Sequence, residues 1–152
     1  MYKILLLDDR PPIRIVLADK LREHDIEVFS CRSVYEADFV WAAKKDELDA
    51  IVLDMMMPSL GLCEELRSKT NGGLLTGWVW LWYHLNPMNM VPHPAANKRI
   101  VIYSAYLADF YSYVTSEQAS EDEKEFLLNV KMISKDIERS EHEVIEYLVK
   151  AE

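Results

Sequence analysis

The chain has 152 residues, of which 50% are hydrophobic and 28% charged, a balance that is typical of a folded globular domain and excludes a disordered one. Its net charge of -9 argues against a nucleic-acid-binding surface, because phosphate contacts need clustered Lys and Arg. The longest apolar region, 74–91, is interrupted by polar residues and prolines, so we expect no membrane span. No signal peptide is visible, which favours a cytoplasmic protein in which Cys31 and Cys63 are small core residues.

The first half of the sequence alternates strand and helix patterns with short connections. In chain order it predicts a strand at 3–7, a helix at 11–24, a strand at 26–31, a helix opened by the capping box Ser33-x-x-Glu36, and a strand at 50–53. The apolar runs at 3–7 and 50–53 are unbroken, as in strands that are buried on both faces. This half therefore predicts an α/β fold with a parallel sheet covered by helices on both sides.

The second half is less regular after Pro58. Its predicted elements are a helical turn or two within 60–69, a helix at 74–85, an irregular stretch at 86–98, a strand at 99–104, an ambiguous segment at 107–115, a helix capped by Ser120-x-x-Glu123, a short strand at 130–134, and a last helix that begins at Ser140-x-x-Glu143 and continues to the end of the chain. Neither a repeat nor a second domain is visible. We therefore expect a single domain over 1–152 with five strands.

Polar residues of matched chemistry follow four of these strands. They are Asp8 and Asp9 after the first strand, Asp54 after the third, Ser104 at the end of the fourth, and Lys135 after the fifth. In a parallel sheet these positions all meet at one edge. Three carboxylates repel one another unless a cation joins them, and Mg²⁺ is the oxygen-preferring ion that suits such a cluster. The hydroxyl and the ammonium complete a set that can hold the oxygens of a transferring phosphoryl group.

In this set of motifs the sequence resembles the response regulator receiver domain of two-component signalling. The motifs are Asp8-Asp9, Asp54-x-x-Met57-Pro58, Ser104-Ala105 and Ser134-Lys135. The resemblance implies a doubly wound five-stranded parallel sheet with the flavodoxin-like order 2-1-3-4-5. It also implies a divergent stand-alone member, with a long insertion at approximately 60–98 between the third and fourth strands.

The resemblance also implies a role for each matched residue. Asp54 would be the phosphorylated nucleophile, Ser104 would bond a phosphoryl oxygen, and Lys135 would pair with the phosphate. The implied Mg²⁺ ligands are Asp9 directly, Asp8 through water, Asp54, and the main-chain carbonyl of Met56. Such a protein is a phosphoacceptor that assists its own phosphorylation and dephosphorylation rather than an enzyme. Its partners would be a histidine kinase or phosphotransfer protein and a downstream protein, with a homodimer left open and with neither nucleic acid nor membrane expected.

Two departures from the family pattern keep an alternative open. Receiver domains usually have a proline after the lysine, where this chain has Asp136, and an aromatic residue shortly before it, where this chain has Met132. These departures favour a phosphorylation-independent receiver-like module that binds proteins. A haloacid-dehalogenase-like phosphohydrolase is disfavoured, because it would have its two aspartates two positions apart, and here Arg10 stands in the second position.

Two further hypotheses concern bulky side chains. Helical spacing over 74–85 places Trp78 and Trp82 on a core-facing side and Trp80 on another side, so we expect Trp80 and Tyr83 to mark a partner or dimer surface. Met56 and Tyr106 match receiver positions that flank the path of the hydrolytic water. Bulky groups there predict a long-lived phosphorylated form.

Overall fold

The computed structural model describes residues 1–150 of the chain. Its strands form one five-stranded sheet in which every neighbouring pair is parallel. The strands are β1 (Lys3–Leu7), β2 (Glu27–Cys31), β3 (Ala50–Leu53), β4 (Arg99–Ser104) and β5 (Val130–Ser134). Their order across the sheet is β2-β1-β3-β4-β5, which confirms the predicted fold class.

Helices connect the strands, and those between β3 and β4 are short. The helices are α1 (Pro11–Arg22), α2 (Val34–Lys44), α3 (Glu64–Arg67), α4 (Thr76–Val79), α5 (Leu107–Val114), α6 (Glu121–Leu127) and α7 (Ser140–Val149), with a π-helical turn at Trp80–His84 directly after α4. The sequence predicts a last helix that continues to the chain end; α7 ends at Val149, and residues 151 and 152 lie outside the described part. Within residues 1–150, no helix is long and apolar enough to cross a membrane.

Both faces of the sheet are covered by helices, which is why residues 4–7 of β1 and 50–53 of β3, in the middle of the sheet, are apolar without interruption. The central strand β3 is fully buried along its whole length. On one face Leu5 and Leu53 pack with α2, α4 and α5, and on the other Leu6 and Val52 pack with α1 and α7. The side chains alternate between the two faces because successive strand residues point in opposite directions.

The predicted capping boxes had different outcomes. At α6 the box is complete, since the Ser120 hydroxyl and the Glu123 carboxylate each accept the other's main-chain N–H. At α2 the Ser33 hydroxyl accepts the N–H of Glu36, as predicted. At α7 the predicted box is wrong, because Ser140 is the first residue of the helix and its hydroxyl bonds the hydroxyl of Tyr103 instead, at 2.7 Å.

The segment between β3 and β4 corrects two predictions. Trp80 is 0% exposed and its indole N–H donates to Asp38 of α2 at 3.0 Å, so the prediction that Trp80 marks a partner surface is wrong. Helical spacing identifies buried residues only where one face of a helix is covered, whereas α2 and the sheet cover this segment from two sides. Cys31 is buried as expected, but Cys63 is exposed and therefore no core residue.

Candidate functional site

Three carboxylates meet at the edge where the parallel strands end. Asp8 follows β1 and Asp54 follows β3, two strands that pair in register through Leu7 and Leu53. One carboxylate oxygen from each of Asp8, Asp9 and Asp54 lies within 4.8 Å of the other two. Asp8 and Asp54 are only 2% and 3% exposed, so this negative charge is held away from water. The strand ends thus bring together all three predicted acids.

Lys135 neutralises part of this charge. It follows β5, and its Nζ donates hydrogen bonds to Asp8 Oδ2 at 2.6 Å and to Asp54 Oδ2 at 2.9 Å. Burial is the largest influence on this lysine and lowers its pKa, but the carboxylates of Asp54 and Asp8 together outweigh burial, so the pKa of Lys135 is raised. The lysine therefore stays protonated and forms an ion pair with both acids.

The loop after β5 directs Lys135 towards Asp54, although residue 136 is an aspartate and not a proline. The N–H of Lys135 donates to the main-chain carbonyl of Ser104 at 3.0 Å, which extends the pairing of β4 with β5 by one bond. The N–H of Asp136 then donates to the hydroxyl of Ser134 at 3.2 Å and turns the chain. These two bonds fix the residues around Lys135, so Asp136 in the proline position does not keep the lysine from Asp54.

Ser104 lies at the same edge, on the strand next to Asp54. Since Leu53 pairs with Ile102, Ser104 stands one residue beyond the level of Asp54. Its side chain is fully buried, and its Oγ accepts the N–H of Tyr106 at 3.1 Å. This bond uses an oxygen lone pair and leaves the O–H hydrogen of Ser104 available for donation.

Main-chain amides orient two of the carboxylates. Asp8 Oδ1 accepts the N–H of Arg10 at 2.9 Å, and Asp54 Oδ1 accepts the N–H of Met55 at 2.7 Å. Burial raises the pKa of Asp8, and Lys135 and the Arg10 amide act against that rise. Asp9 differs, because its Oδ1 is buried and has no hydrogen-bond partner among the described residues.

The chemistry of this donor set fits a divalent cation. A buried carboxylate oxygen without a partner is costly, and coordination to a metal would satisfy it. One oxygen of each of the three carboxylates lies within 4.8 Å of the other two, and Mg²⁺ binds through few carboxylates while keeping several waters. Asp8, Asp9 and Asp54 therefore form a candidate Mg²⁺ site.

Arg10 is a residue of this site that the sequence reasoning did not assign. Its Nη2 donates to the hydroxyl of Tyr106 at 3.4 Å, and its guanidinium lies 5.9 Å from the centre of the Tyr106 ring. The hydrogen bond to Tyr106 is the largest influence that raises the pKa of Arg10, and the charges of Asp54 and Asp9 act in the same direction. The feature of the sequence that indicates Arg10 as a site residue is its position directly after Asp8 and Asp9.

Comparisons with known proteins agree with this geometry at the level of the fold. No protein-family model matches the sequence, and no curated protein sequence matches it either. The receiver domain protein from Clostridium thermocellum has a TM-score of 0.58 at 16% identity, over 99% of this chain and 96% of that one. The response regulator TrrA from Thermotoga maritima, in complex with Mg²⁺-BeF, has a TM-score of 0.57 at 19% identity, over 97% of this chain and 99% of that one.

A third solved structure, the chemotaxis response regulator CheY4 of Vibrio cholerae, has a TM-score of 0.56 at 16% identity, over 97% of this chain and 98% of that one. Identities this low establish similarity of fold. The chain thus folds as the receiver domains of response regulators do, over nearly its full length.

Proposed function

We propose that this chain, which has the receiver-domain fold, is a phosphoacceptor switch of a two-component phosphorelay. It would accept a phosphoryl group on Asp54 with Mg²⁺, from a histidine kinase or phosphotransfer protein, and signal through protein contacts in the cytoplasm. The observation that carries the proposal is the Lys135 ammonium bonded to both Asp54 and Asp8 beside the unpartnered oxygen of Asp9. A cation and a set of acids from three strand ends suit phosphoryl transfer better than they suit a turn or a helix cap.

In the proposed reaction a carboxylate oxygen of Asp54 attacks the phosphorus of a phosphohistidine. The new O–P bond forms as the P–N bond breaks, and the electron pair of that bond stays on the imidazole nitrogen of the donor. Lys135 then exchanges its bond to Asp54 for one to a phosphoryl oxygen while keeping its bond to Asp8. The ammonium is already desolvated at the site, so little reorganisation accompanies this exchange.

Asp8, Asp9, Asp54 and the main-chain carbonyl of Met56 would hold the Mg²⁺. When bound, the ion supplies positive charge that offsets the negative charge of the acids and of the phosphoryl oxygens. Asp8 is oriented for this role by the N–H of Arg10. Ser104 would donate its O–H to a phosphoryl oxygen after transfer, since its present bond uses only a lone pair.

The lifetime of the phosphorylated form would be set by the groups around the acceptor. The hydroxyl of Tyr106 accepts a hydrogen bond from the guanidinium of Arg10 at 3.4 Å, and the side chain of Met56 is 37% exposed in the loop after Asp54. We propose that these side chains hinder the hydrolytic water, as their bulk predicts. Replacing Met56 by Asn should then shorten the half-life of the adduct, and an unchanged half-life would contradict this part of the proposal.

The direct test is the mass of the intact protein after incubation with Mg²⁺ and a small acyl phosphate. We expect one added phosphoryl group per chain, which is absent in Asp54→Asn and still present in Asp122→Asn, a variant of an exposed aspartate. Chelation of the metal should also abolish the adduct. The proposal would be defeated by an adduct that survives Asp54→Asn, or by the absence of an adduct in the wild type when Mg²⁺ and the acyl phosphate are both present.

The alternative function is a phosphorylation-independent receiver-like interaction module. Met132 favours it, because the position expected to carry an aromatic switch residue holds a flexible aliphatic side chain. In this alternative, 1–152 is still one receiver-like domain, and the insertion at approximately 60–98 supplies the docking surface. Phosphorylation of Asp54 that changes neither the oligomeric state nor the binding of any partner would favour the module over the switch.

A further inference from the structure

The loop that carries Asp54 is held in place by a segment of the insertion. We call residues 54–57 the acceptor loop and residues 73–77 the bracing segment. The Met57 N–H donates to the carbonyl of Gly73 at 3.2 Å, and the Gly77 N–H donates to the carbonyl of Met55 at 2.9 Å. The peptide groups on both sides of Met56 are therefore bonded to the same short stretch of chain.

These bonds determine where the Met56 carbonyl points. The Met57 N–H and the Met56 carbonyl belong to one planar peptide unit and point in opposite directions. Since that N–H is directed at Gly73, the Met56 carbonyl is directed away from the bracing segment. A single hydrogen bond thus aims a group that the proposed function assigns to Mg²⁺.

Thr76 adds a side-chain bond to the same loop. Thr76 is 0% exposed, and its hydroxyl lies 2.7 Å from the carbonyl of Met57 and 3.1 Å from the carbonyl of Gly73, so Met57 is the nearer acceptor of its one hydrogen. A buried carbonyl that loses its donor is left without compensation for its lost water. The hydroxyl therefore stabilises the loop only in the position that it now has.

Gly77 brings the bracing segment against the acceptor residue itself. A Cβ placed on Gly77 would lie 1.9 Å from the main-chain oxygen of Asp54, far inside any non-bonded contact distance. Only glycine fits here unless the backbone of Asp54 moves. A glycine in a helix costs stability, so close approach of the backbone is the physical reason for it.

We propose that the bracing segment is a positioning element of the phosphoacceptor site, with Thr76 and Gly77 as positioning residues that act through the acceptor loop. This inference rests on the proposed function and extends it to residues outside the receiver motifs. Three hydrogen bonds and one backbone contact with this segment restrict the conformation of the acceptor loop. The insertion therefore sets the geometry of metal binding and phosphoryl transfer.

The test compares Thr76→Val, which keeps the shape but removes the hydroxyl, with Thr76→Ser, which keeps the hydroxyl. Calorimetric titration with Mg²⁺ alone should show about tenfold weaker binding in Thr76→Val, and binding within about twofold of wild type in Thr76→Ser. The rate of phosphorylation by a small acyl phosphate should fall in the same order. Val144→Ala, a truncation of the core on the other face of the sheet, should lower stability without changing Mg²⁺ affinity.

Unchanged Mg²⁺ affinity in Thr76→Val would overturn the inference, as would an equal loss in Thr76→Ser or in Val144→Ala. With any of these three results, the proposed function still stands if the wild type binds Mg²⁺ and takes up a phosphoryl group. A wild type that neither binds Mg²⁺ nor takes up phosphoryl defeats the proposed function, and the inference falls with it.

Discussion

Glu123 is a buried carboxylate that four donors surround. It is 1% exposed and receives hydrogen bonds from the indole of Trp78 at 2.9 Å, the hydroxyl of Tyr113 at 2.7 Å, the hydroxyl of Tyr83 at 3.3 Å and the N–H of Ser120 at 3.1 Å. Burial is the first of the influences that raise the pKa of Tyr113, and Tyr83 and Glu123 act with it. The carboxylate joins the segment between β3 and β4 to α5 and α6, so its replacement tests how firmly these parts are held together.

Glu123→Gln keeps the size of the side chain but replaces one acceptor oxygen by an NH₂ group. Oε2 accepts from Trp78 and Tyr113, and Oε1 accepts from Tyr83 and Ser120. In either orientation the NH₂ group therefore faces one hydroxyl, which can rotate, and one N–H, which cannot accept a hydrogen bond. One buried N–H loses its acceptor, and the other bonds lose their charge-assisted strength.

We expect Glu123→Gln to lower the free energy of unfolding by about 2–4 kcal/mol, since a hydrogen bond to a charged group contributes about 1.5–3 kcal/mol and an unsatisfied buried donor costs about 1–3 kcal/mol. Urea unfolding followed by far-ultraviolet circular dichroism measures this change. The matched control is Glu125→Gln, on the exposed side of the same helix, which should stay within about 0.5 kcal/mol of wild type. Equal stability of the two variants would refute the reasoning.

Three further predictions concern pH, hydrolysis and metal binding. Burial lowers the pKa of His93 below its ordinary 6.5, so the unfolded chain binds the extra proton first and the free energy of unfolding should fall as pH drops below 6.5, by at most about 1.4 kcal/mol per pH unit. This slope, measured by urea unfolding at several pH values, should be smaller in His93→Gln; an identical slope would contradict it. Arg10→Ala should shorten the half-life of the phosphorylated form severalfold in an intact-mass time course, because the guanidinium fixes Tyr106; an equal or longer half-life argues otherwise. Asp9→Asn should weaken Mg²⁺ binding at least tenfold by calorimetry without lowering the melting temperature, because its buried oxygen has no partner among residues 1–150; unchanged affinity would exclude Asp9 as a ligand.

Strand positions could be predicted closely because β1, β3 and β4 each contain an unbroken apolar run that is followed by a polar residue, while β2 and β5 carry polar residues within the strand. The bounds at 3–7, 99–104 and 130–134 agree with the structure residue for residue. A strand that is buried on both faces appears in the sequence as a continuous apolar run. The parallel arrangement then brings all the strand ends to one edge of the sheet. The convergence of Asp54 and Lys135 follows from that topology.

The segment between β3 and β4 could not be predicted in the same way, because its contacts join residues far apart in sequence. Trp80 is buried, and its indole N–H bonds Asp38, a residue of α2 that no local sequence pattern connects to it. The helical spacing also changes within the segment, where α4 passes into a π-helical turn at Trp80. Periodicity assigns residues to faces only while the helix type stays constant and only one side is covered.

The start of α7 shows a similar limit. Ser140 and Glu143 have the spacing of a capping box, but Arg139 adopts a left-handed conformation at the N-cap and Ser140 lies inside the helix. The hydroxyl of Ser140 bonds Tyr103, whose ring lies 5.5 Å from Nζ of Lys135. A tertiary partner next to the site thus overrides the local capping preference.

The segment between β3 and β4 and the loop that carries Asp54 form one continuous piece of structure. Gly77 touches the backbone of Asp54, its neighbour Trp78 is fully buried against Phe110, and the indole of Trp78 bonds Glu123 of α6. Each link is a short contact between buried groups, and close-packed interiors transmit displacement because they have little free volume. The acceptor loop, Trp78 and Glu123 are therefore packed together, so a displacement of the acceptor loop would disturb the contact of Trp78 with Phe110 and its bond to Glu123.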